Sequence, residues 1–328
     1  MTGLGSRPLA GEGRYCAQLD RRDKVARPCL GDGDHEESPA PLPLENPVLS
    51  YQHAYHAGNH GDVLKHLVLT RILGYLTQKP APLLYVDTHA GAGGYRLDSP
   101  LALKVGEFRH GIGALWGRDD LPPPLADYLA LVKRFNRGGD HLRWYPGSPW
   151  LARQLLRSGD RLELCELHPA DFPRLRKLFA GEPRVHCHDS DGFAQSLALM
   201  PPIEKRGLVL IDPSYEQKQD YQKVVEHLQA LHRRFATGVF ALWYPVVEPA
   251  RIQRLHQQLA RSGIRRIDVH ELYRDGEQRQ AGMNGSGMVV INPPWRLREE
   301  LAATLPWLAQ VLGEDGRGSW RSLELVGE

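Results

Sequence analysis

Short apolar runs that stop on polar or turn-forming residues recur along the chain from Leu83 onward. Leu83–Asp87, Arg161–Cys165, Arg184–Asp189, Gly207–Ile211, Gly238–Trp243, Ile267–Tyr273 and Gly287–Asn292 each have the length and content of a strand. Gly207–Ile211 is apolar throughout, as expected of a parallel strand covered on both faces. Between the runs the spacing becomes helical. Leu64, Leu67, Val68, Ile72 and Leu76 fall on one face, and helical patterns recur near Asp127 to Phe135 and Ala250 to Ser262. Strands alternating with helices predict an α/β protein with a Rossmann-like sheet of seven strands, whose ligand cleft lies beyond the carboxyl ends of the strands.

Two intervals break this rhythm. The first and second runs lie about 75 residues apart, where a direct βα unit needs only about 30. Residues 94–146 are therefore expected to form a small helical subdomain inserted beside the cleft. Residues 1–47 are rich in Gly, Pro and charge, lack apolar periodicity, and read as a disordered or non-native extension. A GTG start codon at Val48 would exclude them, leaving 48–328 as the domain proper.

Composition narrows the class. Net charge is only +2, and the first 47 residues carry 6 basic against 8 acidic side chains, so the remainder carries 35 against 31, a net of +4. An RNA partner would need local basic clusters, and Lys133–Arg137, Arg174–Lys177, Arg233–Arg234 and Arg265–Arg266 supply candidates that read equally as solvated helix faces. No run of about 18 apolar residues and no N-terminal apolar stretch occurs, so a cytoplasmic protein with no membrane partner is expected. Cys16, Cys29, Cys165 and Cys187 form no CxxC pair, which argues against a disulfide framework or a zinc ribbon. His53, His56, His60 and His66 crowd the start of the first helix, but no cysteine or paired acid completes a ligand set, and no metal is expected.

Candidate chemistry gathers where the strands end. Thr88-His89-Ala90-Gly91-Ala92-Gly93 follows the first strand, and its glycines let backbone approach a ligand. Arg96 stands where a dinucleotide fingerprint wants a small residue, which favours S-adenosylmethionine over a pyrophosphate cofactor. Glu166, after the second strand, is placed to accept from ribose hydroxyls. Asp191, with Gly192 and Phe193, follows the third, where it can meet the cofactor's adenine. Asp212-Pro213-Ser214-Tyr215 ends the fourth. An adenine N6 amine is a poor nucleophile, so a site for its methylation must accept its two N–H groups, and the Asp212 carboxylate and Pro213 carbonyl can do so while Tyr215 offers a face to an extruded base. Asp-Pro-Ser is also ordinary turn composition, and on these four residues alone both readings stand. Asn292-Pro-Pro-Trp295 is a second candidate; ending the last strand rather than the fourth, it reads as structural.

Asp212–Tyr215 resembles the Asp-Pro-Pro-Tyr signature of amino methyltransferases, with Ser214 in place of the second proline. Taken in order, Tyr51-x-His53, His56-Ala-Gly-Asn59, Asp62-Val-Leu-Lys65-His66, Asp87–Gly93, Tyr145-Pro-Gly-Ser148-Pro, Glu166-Leu-His-Pro169, Asp191-Gly192-Phe193 and Leu242-Trp-Tyr-Pro-Val246 resemble the 23S ribosomal RNA adenine-N6 methyltransferases of the RlmJ type. The resemblance runs from about Leu49 to the C-terminal region. It implies a class I S-adenosylmethionine-dependent fold and cofactor contact from His66, His89, Ser148, Glu166, Asp191, Gly192 and Asp212. Asp212 would also be the catalytic acceptor, Tyr51 would contact the RNA, and a monomer acting on 23S rRNA is expected. Two other readings remain at this stage: an N-methyltransferase acting on DNA adenine or protein glutamine, and a weakened enzyme that binds RNA and S-adenosylmethionine, motivated by Ser214.

Overall fold

The structure is a computed structural model that describes residues 52–217, 219–275 and 283–328. A 3-10 turn at His53–Tyr55 leads into helix α1 (His60–Leu76), where Asn59 caps the free N–H groups by accepting from Asp62 N at 2.9 Å. Strand β1 (Leu84–Asp87) follows. Then come β2 (Gly94–Arg96), α2 (Pro100–Val105), a 3-10 turn at Glu107–His110, α3 (Ile112–Leu115), α4 (Pro123–Phe135) and β3 (Trp144–Pro146). β2 and β3 pair antiparallel with Gly94 opposite Pro146, so a small ladder closes this stretch at its base.

The remaining chain alternates: α5 (Ser148–Leu155), β4 (Arg161–Cys165), α6 (Phe172–Leu178), β5 (Val185–His188), α7 (Gly192–Ala198), β6 (Gly207–Ile211), α8 (Asp220–Arg234), β7 (Val239–Val246), α9 (Pro249–Ala260), β8 (Ile267–Tyr273), β9 (Gly285–Ile291), α10 (Leu297–Leu312) and β10 (Ser319–Val326). The main sheet runs β10-β8-β9-β7-β6-β1-β4-β5. β5, β4, β1, β6 and β7 are mutually parallel, and β9 is antiparallel to both β7 and β8.

The sheet has eight strands where the apolar runs predict seven. β10 escapes that reading because it is a half-buried edge strand carrying Arg321 and Glu324, and antiparallel pairing with β8 defines it. Arg321 Nε donates to Glu271 Oε2 at 2.7 Å, and the Tyr244 and Tyr273 hydroxyls also donate to that buried carboxylate.

Alternation along the strands divides the core. Tyr85, Leu208 and Leu210 face one layer with α1, α5 and α10, while Leu84, Val86, Val209 and Ile211 face the other with α8 and α9. Asp87, Glu166, Asp191 and Asp212 therefore emerge together along the carboxyl edge. β9 runs the other way, so Asn292 lies at the opposite edge, next to Ile291, which pairs with Phe240 and Ile267 near the starts of β7 and β8. Its side-chain amide donates to the carbonyls of Ala236 and Gly238 at 2.8 and 2.7 Å, which makes it a clasp between strand ends.

Candidate active site

The first turns of α1 supply a chain of charges that ends on Asp212. His53 Nε2 donates to Asp62 Oδ2 at 2.9 Å, and Gly58 N donates to the same oxygen at 2.8 Å. Lys65, only 4% exposed, holds Asp62 Oδ1 at 2.7 Å and Asp212 Oδ2 at 2.6 Å. Burial works against the ammonium, but the Asp212 and Asp62 carboxylates outweigh it and raise its pKa. Burial also raises the pKa of Asp212, and Lys65 opposes that rise. One Asp212 oxygen is thus held by a fixed cation while the other is free of Lys65.

Around the β1 turn lies a second polar group. Asp87 Oδ2 accepts from Tyr85 Oη at 2.8 Å and from Ser148 Oγ at 2.7 Å, and burial pushes its pKa up to about 6. Glu166 accepts from Gly91 N and His168 N, both at 2.6 Å, which fixes the carboxylate against the glycine turn while leaving lone pairs for hydroxyl donors. Gly91, with φ +58°, allows that turn. Asp191 caps α7 by accepting from Ala194 N at 2.9 Å. Gly192 must be glycine, since a Cβ there would lie 1.8 Å from the Thr88 carbonyl oxygen. His89 Nδ1 bonds Thr88 Oγ1 at 2.7 Å, and its ring meets Phe193 edge-on. His66 Nδ1 bonds Tyr145 Oη at 2.7 Å, while its Nε2 is buried with no partner.

Tyr215 closes the signature loop. It adopts φ +53°, a left-handed conformation that costs a non-glycine residue about 1–2 kcal/mol. Its hydroxyl donates to the Trp243 carbonyl at 2.7 Å, and its ring packs against Tyr221 and Trp243. Among the described residues Ser214 makes no side-chain hydrogen bond, so Tyr215 anchors the loop where a proline would have stiffened it. The Trp243 indole N–H is buried without a partner, and Lys65 Nζ stands 5.8 Å from the ring.

His66, His89, Ser148, Glu166, Asp191, Gly192 and Asp212 thus belong to segments that meet along one edge of the sheet. Tyr51 lies outside the described residues. Lys65, Asp62, His53 and Asp87 stand in the motifs that carry the resemblance but are given no site role by the sequence; the one local signal is Asp62, Lys65 and His66 within about one turn of α1. His56 bonds Glu107 Oε1 at 3.0 Å, and among the described residues no group of three His, Cys, Asp or Glu could hold a metal.

The residues present suit S-adenosylmethionine. The Asp87 carboxylate, mostly ionised at neutral pH with its pKa at about 6, and Ser148, whose proton is committed to it, offer acceptors to an ammonium group. Glu166 offers acceptors to ribose, and His66 Nε2 has no partner among the described residues.

Strand order, crossovers and the acids on the carboxyl edge define a Rossmann-like fold of the class I methyltransferase type. A family model described as "Ribosomal RNA large subunit methyltransferase D, RlmJ" matches residues 80–326. The chain belongs to this family. It is 50% identical over 271 residues to the ribosomal RNA large subunit methyltransferase J of Escherichia coli, covering 83% of this chain and 96% of that one. Its counterpart from Haemophilus influenzae is 49% identical over 273 residues, with 83% and 97% covered. A crystal structure of a Legionella pneumophila protein, 37% identical, superposes with a TM-score of 0.76 over 82% of this chain and 98% of that one.

Proposed function

We propose that this protein methylates the exocyclic N6 amine of an adenine in 23S rRNA, with S-adenosylmethionine as the methyl donor, and that it acts in the cytoplasm as a monomer. The observation that carries this reading is the Lys65–Asp212 pair at the end of β6. S-adenosylmethionine supplies an electrophilic methyl group. The chain's residues supply the rest. Asp212 accepts one N–H of the target amine, the Pro213 carbonyl accepts the other, and the exposed part of the Tyr215 ring stacks on the extruded base. As the methyl–nitrogen bond forms and the donor's methyl–sulfur bond breaks, positive charge develops on nitrogen; the anionic Asp212 stabilises it in a water-poor setting, and the surplus N–H proton then passes to solvent. Lys65 favours the ionised form of Asp212, and Asp62, itself bonded by His53, holds Lys65 in place.

The rim of the cleft suits RNA. α2 and the turn after it pack beside His53–Tyr55 and present exposed Lys104, Arg109 and His110, with Lys104 Nζ 5.9 Å from the Tyr55 ring centre. The test is methylation of 23S rRNA from cells lacking the protein, with N6-methyladenosine read by mass spectrometry. Appearance of one modified adenine is expected. Transfer to DNA or to a glutamine peptide, with none to rRNA, would overturn the assignment.

A further inference from the structure

We propose that Tyr145, backed by Tyr128, fixes the tautomer of His66 so that its imidazole presents Nε2–H as a permanent donor toward the cofactor. This rests on the S-adenosylmethionine reading above. Tyr128 comes from α4 and Tyr145 from β3, so the stretch inserted between β1 and β4 would reach into cofactor recognition without touching the cofactor.

The three groups form a closed row. His66 Nδ1 lies 2.7 Å from Tyr145 Oη, which lies 2.8 Å from Tyr128 Oη. Both tyrosines are fully buried, and His66 is 1% exposed. The Tyr145 and His66 rings stack with centres 5.5 Å apart, which holds the imidazole in place. Burial, seconded by the Lys65 charge, pushes the His66 pKa down to about 3, so the ring is neutral and carries one proton.

That proton can be placed in two ways. If Tyr128 donates to Tyr145 and Tyr145 donates to Nδ1, every proton along the row has an acceptor and the imidazole proton sits on Nε2. If instead Nδ1–H donates to Tyr145, Tyr145 must donate to Tyr128, and the buried Tyr128 proton is left with no acceptor among the described residues. Nε2 lacks a partner among the described residues in either order, as an N–H in the first and as a lone pair in the second, so the orders differ in the Tyr128 proton; a further buried polar group left unpaired costs about 1–3 kcal/mol, which favours the first order. Nε2–H is then a donor with no partner among the described residues. Its natural acceptor is an anionic oxygen, and the methionyl carboxylate is the one anion of S-adenosylmethionine.

Nitrogen-15 NMR of full-length protein labelled at histidine, without ligand, reads the tautomer directly. The His66 signals are assigned by their loss in His66→Asn. The expected result is a protonated Nε2 and an unprotonated Nδ1 at neutral pH, and the opposite pattern overturns the proposal. Tyr145→Phe should release the single tautomer and weaken S-adenosylmethionine binding about tenfold by calorimetry, with the loss falling on KM rather than kcat. An unchanged tautomer and affinity in a folded Tyr145→Phe protein would also overturn it. If that variant does not fold, Tyr128→Phe decides. In the proposed order Tyr145 still donates to Nδ1 and Nε2–H persists, and a switch to Nδ1–H refutes it. A protein with the Nε2–H form that binds no S-adenosylmethionine would refute the cofactor reading and leave the tautomer assignment standing.

Discussion

A carboxylate proposed to receive a target amine, with a lysine 2.6 Å away, is held in one orientation. Replacing Lys65 with methionine removes the cation that opposes the upward push of burial on Asp212, so the Asp212 pKa should rise further. Methyl transfer should fall at least tenfold, and the acidic limb of its pH–rate profile should move to higher pH; an unmoved limb would show that Lys65 does not set the charge of Asp212. Asp212→Asn replaces an acceptor-only group with one that also carries donors. It should lower the rate about 10²–10³-fold, the usual cost of losing one such electrostatic contact, with circular dichroism unchanged. The positions of Asp212 and Glu166 at the carboxyl edge of the sheet were legible in the sequence because each directly follows a recognisable strand. Lys65 was not, because its meaning depends on α1 lying against the end of β6, a contact spanning 147 positions.

At the scale of elements, two proline-containing signatures end two strands and are told apart by strand direction. β6 runs with the parallel set and delivers Asp212 to the cleft; β9 runs against it and delivers Asn292 to the far edge. Asn292→Ala should cost about 1–2 kcal/mol of stability by freeing the Ala236 and Gly238 carbonyls, with kcat unchanged. A denaturation curve beside a turnover assay checks both halves. For the β6 loop, Tyr215 already pins the backbone through its bond to the Trp243 carbonyl. Ser214→Pro should therefore add only about 0.4–1 kcal/mol of preorganisation, a rate gain of at most about fivefold in single turnover. Gain by several orders of magnitude would mean that the natural loop is disabled.

Across the whole molecule, buried histidines make stability depend on pH. Burial lowers the pKa of His60, His89 and His227 to about 4 and of His66 and His270 to about 3. The unfolded chain takes up these protons near pH 6.5 and the native protein does not, so stability present above about pH 6.5 is lost as pH falls, by about 1.4 kcal/mol per histidine per pH unit. Asp87 acts in the other direction. Its pKa is raised to about 6, so between about pH 4 and pH 6 the native state holds a proton that the unfolded chain lacks. Five histidines against Asp87 give a net loss, up to about 6 kcal/mol between pH 7.5 and pH 5.5, part of which Asp212 and Glu166, also raised by burial, offset. Urea midpoints at those two values should differ accordingly, and equal midpoints would contradict the neutral burial of these rings. Removal of residues 1–47 should leave the midpoint and turnover unchanged, since the matches to relatives cover 83% of this chain yet 96% and 97% of theirs.

The sequence by itself determined seven strands of the main sheet and the helices α1, α4 and α9, because the period of apolar residues is a local property that burial on one or two faces imposes. It also marked the polar residues after β1, β4, β5 and β6, since a strand end is a position along the chain. Tertiary structure alone decided what those residues meet. The half-exposed β10 became a strand only by pairing with β8, and Asn292 became a clasp only because β9 is reversed. Lys65 became the counter-ion of Asp212 through the packing of α1 on the sheet. Such contacts join residues far apart in sequence, and no local pattern encodes them.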